Sequence, residues 1–356
     1  MPSPTFIIEC VAIAVATAFI SFAATRETSL FAQKHGAVDA PTGGRKIHQK
    51  ATPLWGGLGI AVSVLLLLGV LEINGLFSST DLRPIQLMGF AVAIFILMVG
   101  GAIDDRWPLP PIAQLVSPIL AAIIVVASGT GIVQVANPIQ GGVLSLSWLH
   151  LGPISLPADL LTIAWLFLAT YATKLLDGLD GLVTGIAVIG AGMVGALTLS
   201  PTYFQPSVAL LSSVIGGGFL GFLPRNFHPA KQFLGEAGST LAGFTLGFLA
   251  VVSSAKVAIA LAVLAIPVTD ALLVVFGRVM RGVPPWKADD SHLHFRLLRT
   301  GIPHPRVVLL LWAVSFAAGI MALSLQTRGK MFLVATLIVL TALASWLAQR
   351  LARRIP

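Results

Sequence analysis

The chain has 356 residues, of which 56% are hydrophobic and only 10% are charged, and its mean hydropathy is +0.93. Since a soluble protein carries about a quarter charged residues, this composition excludes an ordinary water-soluble globular domain. The formal net charge is +8, and the single cysteine, Cys10, excludes an intramolecular disulfide and a cysteine-based zinc site.

Long apolar runs account for the shortage of charged residues. A membrane-spanning helix needs roughly 20 mostly apolar residues, and eleven runs approach that length. They predict an all-α fold, a polytopic membrane helical bundle with about 11 transmembrane helices, and one integral-membrane domain over residues 1–356. The runs cover residues 5–25, 54–73, 84–103, 112–129, 157–176, 181–200, 207–223, 239–254, 257–276, 306–325 and 331–349.

The positions of Lys and Arg predict the orientation in a bacterial inner membrane. The first of them, Arg26, follows the first run, whereas a secretory signal begins with basic residues. With the N-terminus outside and the C-terminus in the cytoplasm, 18 of the 22 Lys and Arg residues fall on the inner side. The net charge is therefore a topology signal, and no nucleic-acid partner is expected because the charges form no stripe. The outer segment 130–156 predicts a short amphipathic or hairpin cap.

Two adjacent acids, Asp104 and Asp105, end the third run at the inner side. Adjacent carboxylates repel each other unless a cation lies near, which suits a divalent metal or a proton acceptor. The alternative is a solvated helix end with Arg106 as counter-charge. A proline-rich segment follows and predicts that the helix stops here.

Asp177 and Asp180 follow the fifth run in the sequence Leu-Leu-Asp-Gly-Leu-Asp-Gly-Leu. If this segment is helical, their spacing places both carboxylates on one face. The two glycines allow a helix break or a close backbone approach. The pattern favours an ion or phosphate–magnesium site over a calcium loop, which needs more ligands at fixed spacing.

Glu236 lies where the eighth run begins, ahead of Gly238 and Ser239. A helix that starts here could hold a phosphate at its free N–H groups. The alternative is an ordinary capped helix with Glu236 at its positive end.

His292 and His294 follow the acids at 289–290 and precede Arg296. Histidines two residues apart do not share a helix face, so a two-histidine helical metal site is disfavoured. A basic loop that grips phosphates is favoured, because arginine binds phosphate with two parallel hydrogen bonds. A generic positive inner loop remains the alternative.

In their order along residues 43–300, these segments resemble the polyprenyl-phosphate N-acetylhexosamine-1-phosphate transferases. The resemblance rests on Arg45-Lys-Ile-His48, the double aspartate within 101–110, the segment 176–182, the segment 221–239, Asp270 in the ninth run, and His292-Leu-His294. The double histidine and the sequence Asn-Phe-His-Pro-Ala lean toward the N-acetylglucosamine branch of the family.

The resemblance implies a reaction and a set of site residues. A polyprenyl phosphate, such as undecaprenyl phosphate, attacks the β-phosphorus of a UDP-sugar such as UDP-GlcNAc and UMP leaves, which starts cell-envelope glycan synthesis, lipopolysaccharide included. The implied cofactor is Mg²⁺, with Mn²⁺ as the alternative, and a homodimer is left open. The implied catalytic residues are Asp104, Asp105, Asp177 and Asp180, the metal ligands Asp177 and Glu236, and the substrate-binding residues Lys46, His48, Lys174, Asn226, His292, His294 and Arg296.

Three positions depart from the family pattern. Lys174 stands where the family usually has Asn, Glu236 where it has Asp, and Phe295 where histidine is common. The first two positions contribute to metal binding in the family, and a protonated lysine cannot ligate a metal. The sequence therefore leaves two further interpretations open: a catalytically impaired scaffold that binds lipid phosphate, and a transporter. The transporter is disfavoured because only Asp270 lies well inside a run.

Overall fold

The computed structural model describes residues 2–41, 50–77, 81–137, 141–151, 154–253, 257–284, 286 and 291–352. Within these ranges the chain forms thirteen α-helices and three two-stranded sheets. The helices are α1 (Pro4–His35), α2 (Gly56–Ile73), α3 (Pro84–Arg106), α4 (Val116–Ala127), α5 (Ala158–Leu176), α6 (Leu182–Thr198), α7 (Pro206–Asn226), α8 (Gly235–Val252), α9 (Val257–Val263), α10 (Ala265–Met280), α11 (Leu293–Arg299), α12 (His304–Ser324) and α13 (Thr327–Ala352).

All eleven apolar runs lie in helices, but their lengths differ. In the described ranges, eight helices are long and apolar enough to cross a membrane by length and composition. The pair α9 and α10 is bent by 72° and makes a ninth if it counts as one span. The runs at 112–129 and 181–200 form shorter apolar helices. The multi-pass helical membrane class is thus supported, while the count of eleven spans and the orientation stay predictions.

Local sequence signals explain several helix ends. Proline begins α3 and α7, where its missing N–H costs nothing. The Ser3 side chain accepts a hydrogen bond from the Phe6 N–H at the start of α1. Gly36 ends the same helix with φ +71°, a left-handed conformation that glycine adopts without strain.

The predicted cap at 130–156 consists of two antiparallel hairpins, which confirms its hairpin form. Strand β3 (Gln134–Ala136) pairs with β4 (Val143–Ser145), and β5 (Ser147–Leu151) pairs with β6 (Ile154–Pro157). The remaining sheet joins β1 (Val38–Asp39) to β2 (Thr52–Pro53).

Helix α8 lies at the centre of the bundle. It is buried over most of its length and packs against α2, α3, α5 and α6, whereas α1 is mostly exposed. A Cβ atom added at Gly57 in α2 would overlap the α8 backbone at Gly238, and one added at Gly101 in α3 would overlap it at Ala237. Small residues let the helices approach this closely, as in other membrane bundles. The start of α8 is thereby fixed beside the end of α3.

Candidate active site

The carboxylates of the two acids at the end of α3 accept hydrogen bonds from different segments of the chain. Asp104 is buried, and its Oδ1 accepts hydrogen bonds from the Leu109 N–H at 2.6 Å and from Gln114 Nε2 at 3.3 Å. The proline-rich segment is therefore folded back onto the helix that it ends, and α3 stops at Arg106, as predicted. Asp105 accepts the Glu236 N–H at 2.7 Å and so caps the start of α8.

Lys174 connects these elements. Its Nζ lies 2.9 Å from Glu236 Oε2 and donates to Gln114 Oε1 at 2.8 Å. It also lies 5.4 Å from the centroid of the Tyr171 ring, one turn earlier on the same face of α5. A continuous chain of polar contacts thus runs from Asp104 through Gln114 and Lys174 to Glu236.

Asp177 follows the last residue of α5 in a turn that is broken by glycines. Asp177 keeps access to solvent. The pKa of its carboxyl is nevertheless raised, first because protein is packed around the group and second because Glu236 and Asp180 carry negative charge. Among the described residues, its side chain has no hydrogen-bonded or ion-paired partner. Asp177 is therefore the acid of this region that is most accessible to a ligand.

Asp180 is held by the loop that follows α7. Its Oδ2 lies 2.8 Å from His228 Nδ1 and accepts the Ala230 N–H at 3.1 Å. The His228 ring stacks on the His304 ring at a centroid distance of 4.2 Å. The ligand atoms of Asp180, His228 and His304 lie within 4.8 Å of one another, so these three half-buried residues could hold a metal ion.

Asn226 connects the same loop to the glycine turn. Its Oδ1 accepts the Gly181 N–H at 3.1 Å and the Thr184 hydroxyl at 2.6 Å, and its Nδ2 donates to the Gln232 carbonyl at 3.1 Å. The side chain is 3% exposed and its amide is occupied by these contacts, so the geometry gives it a structural task. Its predicted contact with substrate stays untested.

The two histidines of α11 and its N-cap have separate surroundings. His292 Nδ1 lies 2.8 Å from Asp270 Oδ2, and the Leu293 N–H donates to Asp270 Oδ1 at 2.8 Å. Asp270, an acid inside a candidate span, thus has its partner in His292. His294 is fully buried against Gly178, where an added Cβ would overlap its ring.

Neither ring nitrogen of His294 has a hydrogen-bond partner among the described residues. Burial lowers the pKa of His294 to about 3, so the ring is neutral at physiological pH. One neutral imidazole offers one donor and one acceptor to a ligand. His294 packs against the glycine turn that contains Asp177. Its predicted contact with the phosphates of the nucleotide sugar stays a prediction.

Three predicted residues are not brought into this cluster by any contact that the structure describes. The Arg296 guanidinium donates to the Ser345 carbonyl, the Ser345 hydroxyl and Gln349 Oε1, all on α13. Lys46 and His48 lie outside the described residues, as do the acids at 289–290. The phosphate contacts proposed for these residues stay predictions.

A cavity of about 320 Å³ opens between α3, α4, α5 and α8. Most of its lining is apolar, and Phe95, Val99 and Val116 are 54%, 40% and 53% exposed. The charged residues in the lining are Asp104, Lys174 and Glu236. The cavity therefore joins an apolar groove to the polar chain described above.

Comparison with known proteins decides the family. The model of glycosyl transferase family 4 matches residues 87–254. A protein of Bacillus subtilis, "Probable undecaprenyl-phosphate N-acetylglucosaminyl 1-phosphate transferase", is 31% identical over 86% of this chain and 83% of its own length. The chain belongs to glycosyl transferase family 4.

Further relatives of this family 4 chain carry related names. "Decaprenyl-phosphate N-acetylglucosaminephosphotransferase" of Mycolicibacterium smegmatis is 31% identical over 97% of this chain and 89% of its own length. "Phospho-N-acetylmuramoyl-pentapeptide-transferase" of Halalkalibacterium halodurans is 28% identical over 80% of this chain and 86% of its own length. The resemblance read from the motifs is confirmed.

The ion that the resemblance implies does not fit at Glu236 while Lys174 is in place. Mg²⁺ bound to Glu236 Oε2 at about 2.1 Å would lie within about 5 Å of the ammonium. At about 4 Å and an effective dielectric constant of about 20, charges of +2 and +1 repel by roughly 8 kcal/mol. The metal role predicted for Asp177 and Glu236 therefore stays a prediction, and the geometry around Glu236 does not support it.

Sequence reasoning missed four members of the site. His228 lies within the quoted sequence Asn-Phe-His-Pro-Ala, but nothing there indicated a contact with Asp180. His304 lies between two prolines ahead of the tenth run, Gln114 lies near the start of the fourth run, and neither belongs to a motif. Tyr171 lies inside the fifth apolar run, where no motif marks it. Its spacing of three from Lys174 does indicate that the two side chains share one face of the helix.

Proposed function

We propose that this chain transfers N-acetylhexosamine 1-phosphate, with GlcNAc-1-phosphate as the first choice, from a UDP-sugar to undecaprenyl phosphate. An oxygen of the acceptor phosphate attacks the β-phosphorus of the donor, the bond from that phosphorus to UMP breaks, and UMP leaves with the bridging oxygen. The product is a lipid-linked pyrophosphate sugar, which would start cell-envelope glycan synthesis.

The observation that carries this proposal is the groove beside the polar chain. A polyprenyl phosphate has a long apolar tail and an anionic head, and the cavity between α3 and α4 has the same two parts. The exposed side chains of Phe95, Val99 and Val116 suit an isoprenoid chain, and the end at Asp104, Lys174 and Glu236 suits the head. The names of the relatives, which include undecaprenyl and decaprenyl phosphate, support the same acceptor class.

The sequence supports a cytoplasmic location for the reaction. The inner face, by the positive-inside rule, carries the acids of the site and most of the basic residues. A UDP-sugar is made and used as a soluble anion, so basic residues such as Lys46 in the first inner loop would attract it. We propose Lys46 and His48 as contacts to the acceptor head and His294 as a donor to the nucleotide sugar's phosphates.

Positioning and charge neutralisation would supply most of the catalysis, because both reacting groups are anionic. A phosphate monoester has a second pKa of about 6, so the acceptor is mostly dianionic at pH 7 without a base. We therefore expect Asp104→Asn, which keeps an oxygen acceptor for the Leu109 N–H, to retain part of its activity at pH 8. The loss should grow below pH 6, where the acceptor binds its second proton and a proton acceptor is needed.

The resemblance also implies Mg²⁺ or Mn²⁺, which Asp177 and Glu236 would hold and which would supply positive charge to the phosphates of the donor. Since Glu236 is paired with Lys174, no step of the proposed reaction depends on an ion held by Glu236. Asp177 is the most exposed carboxylate of this cluster, and its role as a metal ligand stays a prediction from the sequence.

The test is UMP release by the purified protein in detergent, with undecaprenyl phosphate and a panel of UDP-N-acetylhexosamines. Release that requires both substrates supports the transferase and identifies the sugar. Absence of release with every donor, from protein shown to be folded by its thermal transition, would support the scaffold that binds lipid phosphate instead.

The groove has its own test. Val99→Trp fills the cavity and should raise the KM for undecaprenyl phosphate by about tenfold, with little change in the KM for the UDP-sugar. Val92→Trp is the matched control, because Val92 is exposed on the same helix but does not line the cavity. Equal effects of the two substitutions would contradict the assignment of the groove.

A further inference from the structure

We infer that Lys174 is the built-in cation of this site, and that its ammonium contacts the phosphate groups of the substrates where a divalent ion would otherwise act. The inference rests on the proposed function and specifies how the site neutralises charge. It predicts a transferase whose UMP release does not require a divalent ion.

The first argument is that the ammonium is held in place. Lys174 Nζ lies 2.9 Å from Glu236 Oε2 and 2.8 Å from Gln114 Oε1, and the Tyr171 ring lies beside it. An ammonium has three N–H donors, so two described contacts leave one for a phosphate oxygen. The lysine side chain is 12% exposed, which limits the conformations that it loses on binding a substrate.

The second argument is the charge balance of the cavity. Its lining contains two carboxylates, Asp104 and Glu236, and Lys174 is the single cationic side chain among the described residues that line it. Asp105 and Asp177 add two further acids close to Glu236. A phosphate entering this region would be repelled unless a positive charge met it, and Lys174 is the described group that supplies one.

The third argument is that the lysine competes with a divalent ion for Glu236. Glu236 is one of the two carboxylates at the polar end of the groove, and Lys174 already contacts one of its oxygens at 2.9 Å. Gln114 holds the lysine from the other side, and Gln114 is itself bonded to Asp104. Moving the ammonium aside for an ion would therefore break the chain that connects α3, α5 and α8.

The first experiment is UMP release with UDP-GlcNAc and undecaprenyl phosphate in EDTA and in Mg²⁺. The parent protein should change by less than about twofold between the two conditions, whereas Lys174→Met should lose about 100- to 1,000-fold, the effect of removing one preorganised hydrogen-bond donor from a site of developing negative charge. Lys174→Arg should keep EDTA-resistant activity because it keeps the charge. Lys174→Asn combined with Glu236→Asp should become dependent on Mg²⁺. Activity of the parent that EDTA abolishes and Mg²⁺ restores would overturn the inference.

The second experiment does not need activity. Binding of Mn²⁺ to the substrate-free protein is followed by its electron paramagnetic resonance signal, in a His304→Gln background that removes one ring of the Asp180–His228–His304 group. In this His304→Gln background, the protein that also carries Lys174→Asn and Glu236→Asp should bind Mn²⁺ about tenfold more tightly than the protein that keeps Lys174 and Glu236, because the repelling ammonium is gone. Equal binding by the two proteins would overturn the inference even if UMP release is observed.

The two proposals fail separately. Protein that releases no UMP in EDTA or in Mg²⁺, yet shows the expected difference in Mn²⁺ binding, would contradict the proposed function and support the role of Lys174 as the fixed cation. Mg²⁺-dependent release from the parent would support the proposed function and contradict the role of Lys174.

Discussion

The contact between Asp270 and the start of α11 offers a direct test of how the histidine segment is held. Asp270 is 1% exposed, and its two oxygens receive the His292 Nδ1–H and the Leu293 N–H, each at 2.8 Å. A carboxylate can only accept, so both partners donate. Asp270→Ala would leave two buried donors without an acceptor.

The expected magnitude follows from these two bonds. Hydrogen bonds to a charged group contribute about 1.5–3 kcal/mol each, so their loss lowers the free energy of unfolding by roughly 3–6 kcal/mol. An unfolding entropy of about 2.1 cal/mol/K per residue gives roughly 0.75 kcal/mol/K for 356 residues, and the thermal midpoint should therefore fall by about 4–8 °C. Asp270→Asn should fall less, because an amide can accept from Leu293 and donate to the other tautomer of His292.

The assay is thermal unfolding in detergent together with UMP release. Since α11 carries His294 against Gly178, loosening this helix should also lower kcat/KM. Asp159→Ala is the matched control. Asp159 lies in the first turn of α5 and accepts one backbone N–H, from Ser155 at 2.7 Å. It should lower the midpoint by about half as much and leave kcat/KM unchanged. A midpoint of Asp270→Ala within about 1 °C of the parent would refute the reasoning.

Three further predictions concern packing, pH and the last helix. Gly101→Ala should destabilise the protein by about 1–3 kcal/mol because its Cβ overlaps α8. Gly69→Ala is the control with open space around it, and it should stabilise α2 by up to about 1 kcal/mol. Thermal unfolding midpoints measure both changes. Burial lowers the pKa of His294 to about 3, below its unfolded value of about 6.5, so its contribution to stability is complete above pH 6.5 and lost as the pH falls toward 3. His294→Gln should therefore reduce the drop in midpoint between pH 7 and pH 5, and an unchanged drop would contradict the assignment. Arg296→Ala should lower the midpoint by removing three hydrogen bonds to α13; a raised KM for the UDP-sugar would instead favour the phosphate contact predicted from the sequence.

The sequence by itself determined the class of protein and its family. Charge scarcity and apolar runs require a membrane because a chain with 10% charged residues cannot cover a soluble surface. The motifs at Asp104, Asp177, Glu236 and His292 identified the family because their order along the chain is itself information. The proline-rich stop after α3 and the hairpin cap at 130–156 were also predictable, since turn chemistry is local.

The tertiary structure alone decided which of these residues meet. The pairing of Lys174 with Glu236 and the hydrogen bond that Lys174 donates to Gln114 join residues about 60 positions apart in the chain. The cap of Asp105 on α8 spans 131 positions. Such contacts depend on the rotation and depth of each helix in the bundle, and apolar periodicity fixes neither when a helix is buried on most sides. The sequence marked Lys174 as a departure from the family, and only the packing of α3, α5 and α8 gave its ammonium a partner and a place at the end of the groove.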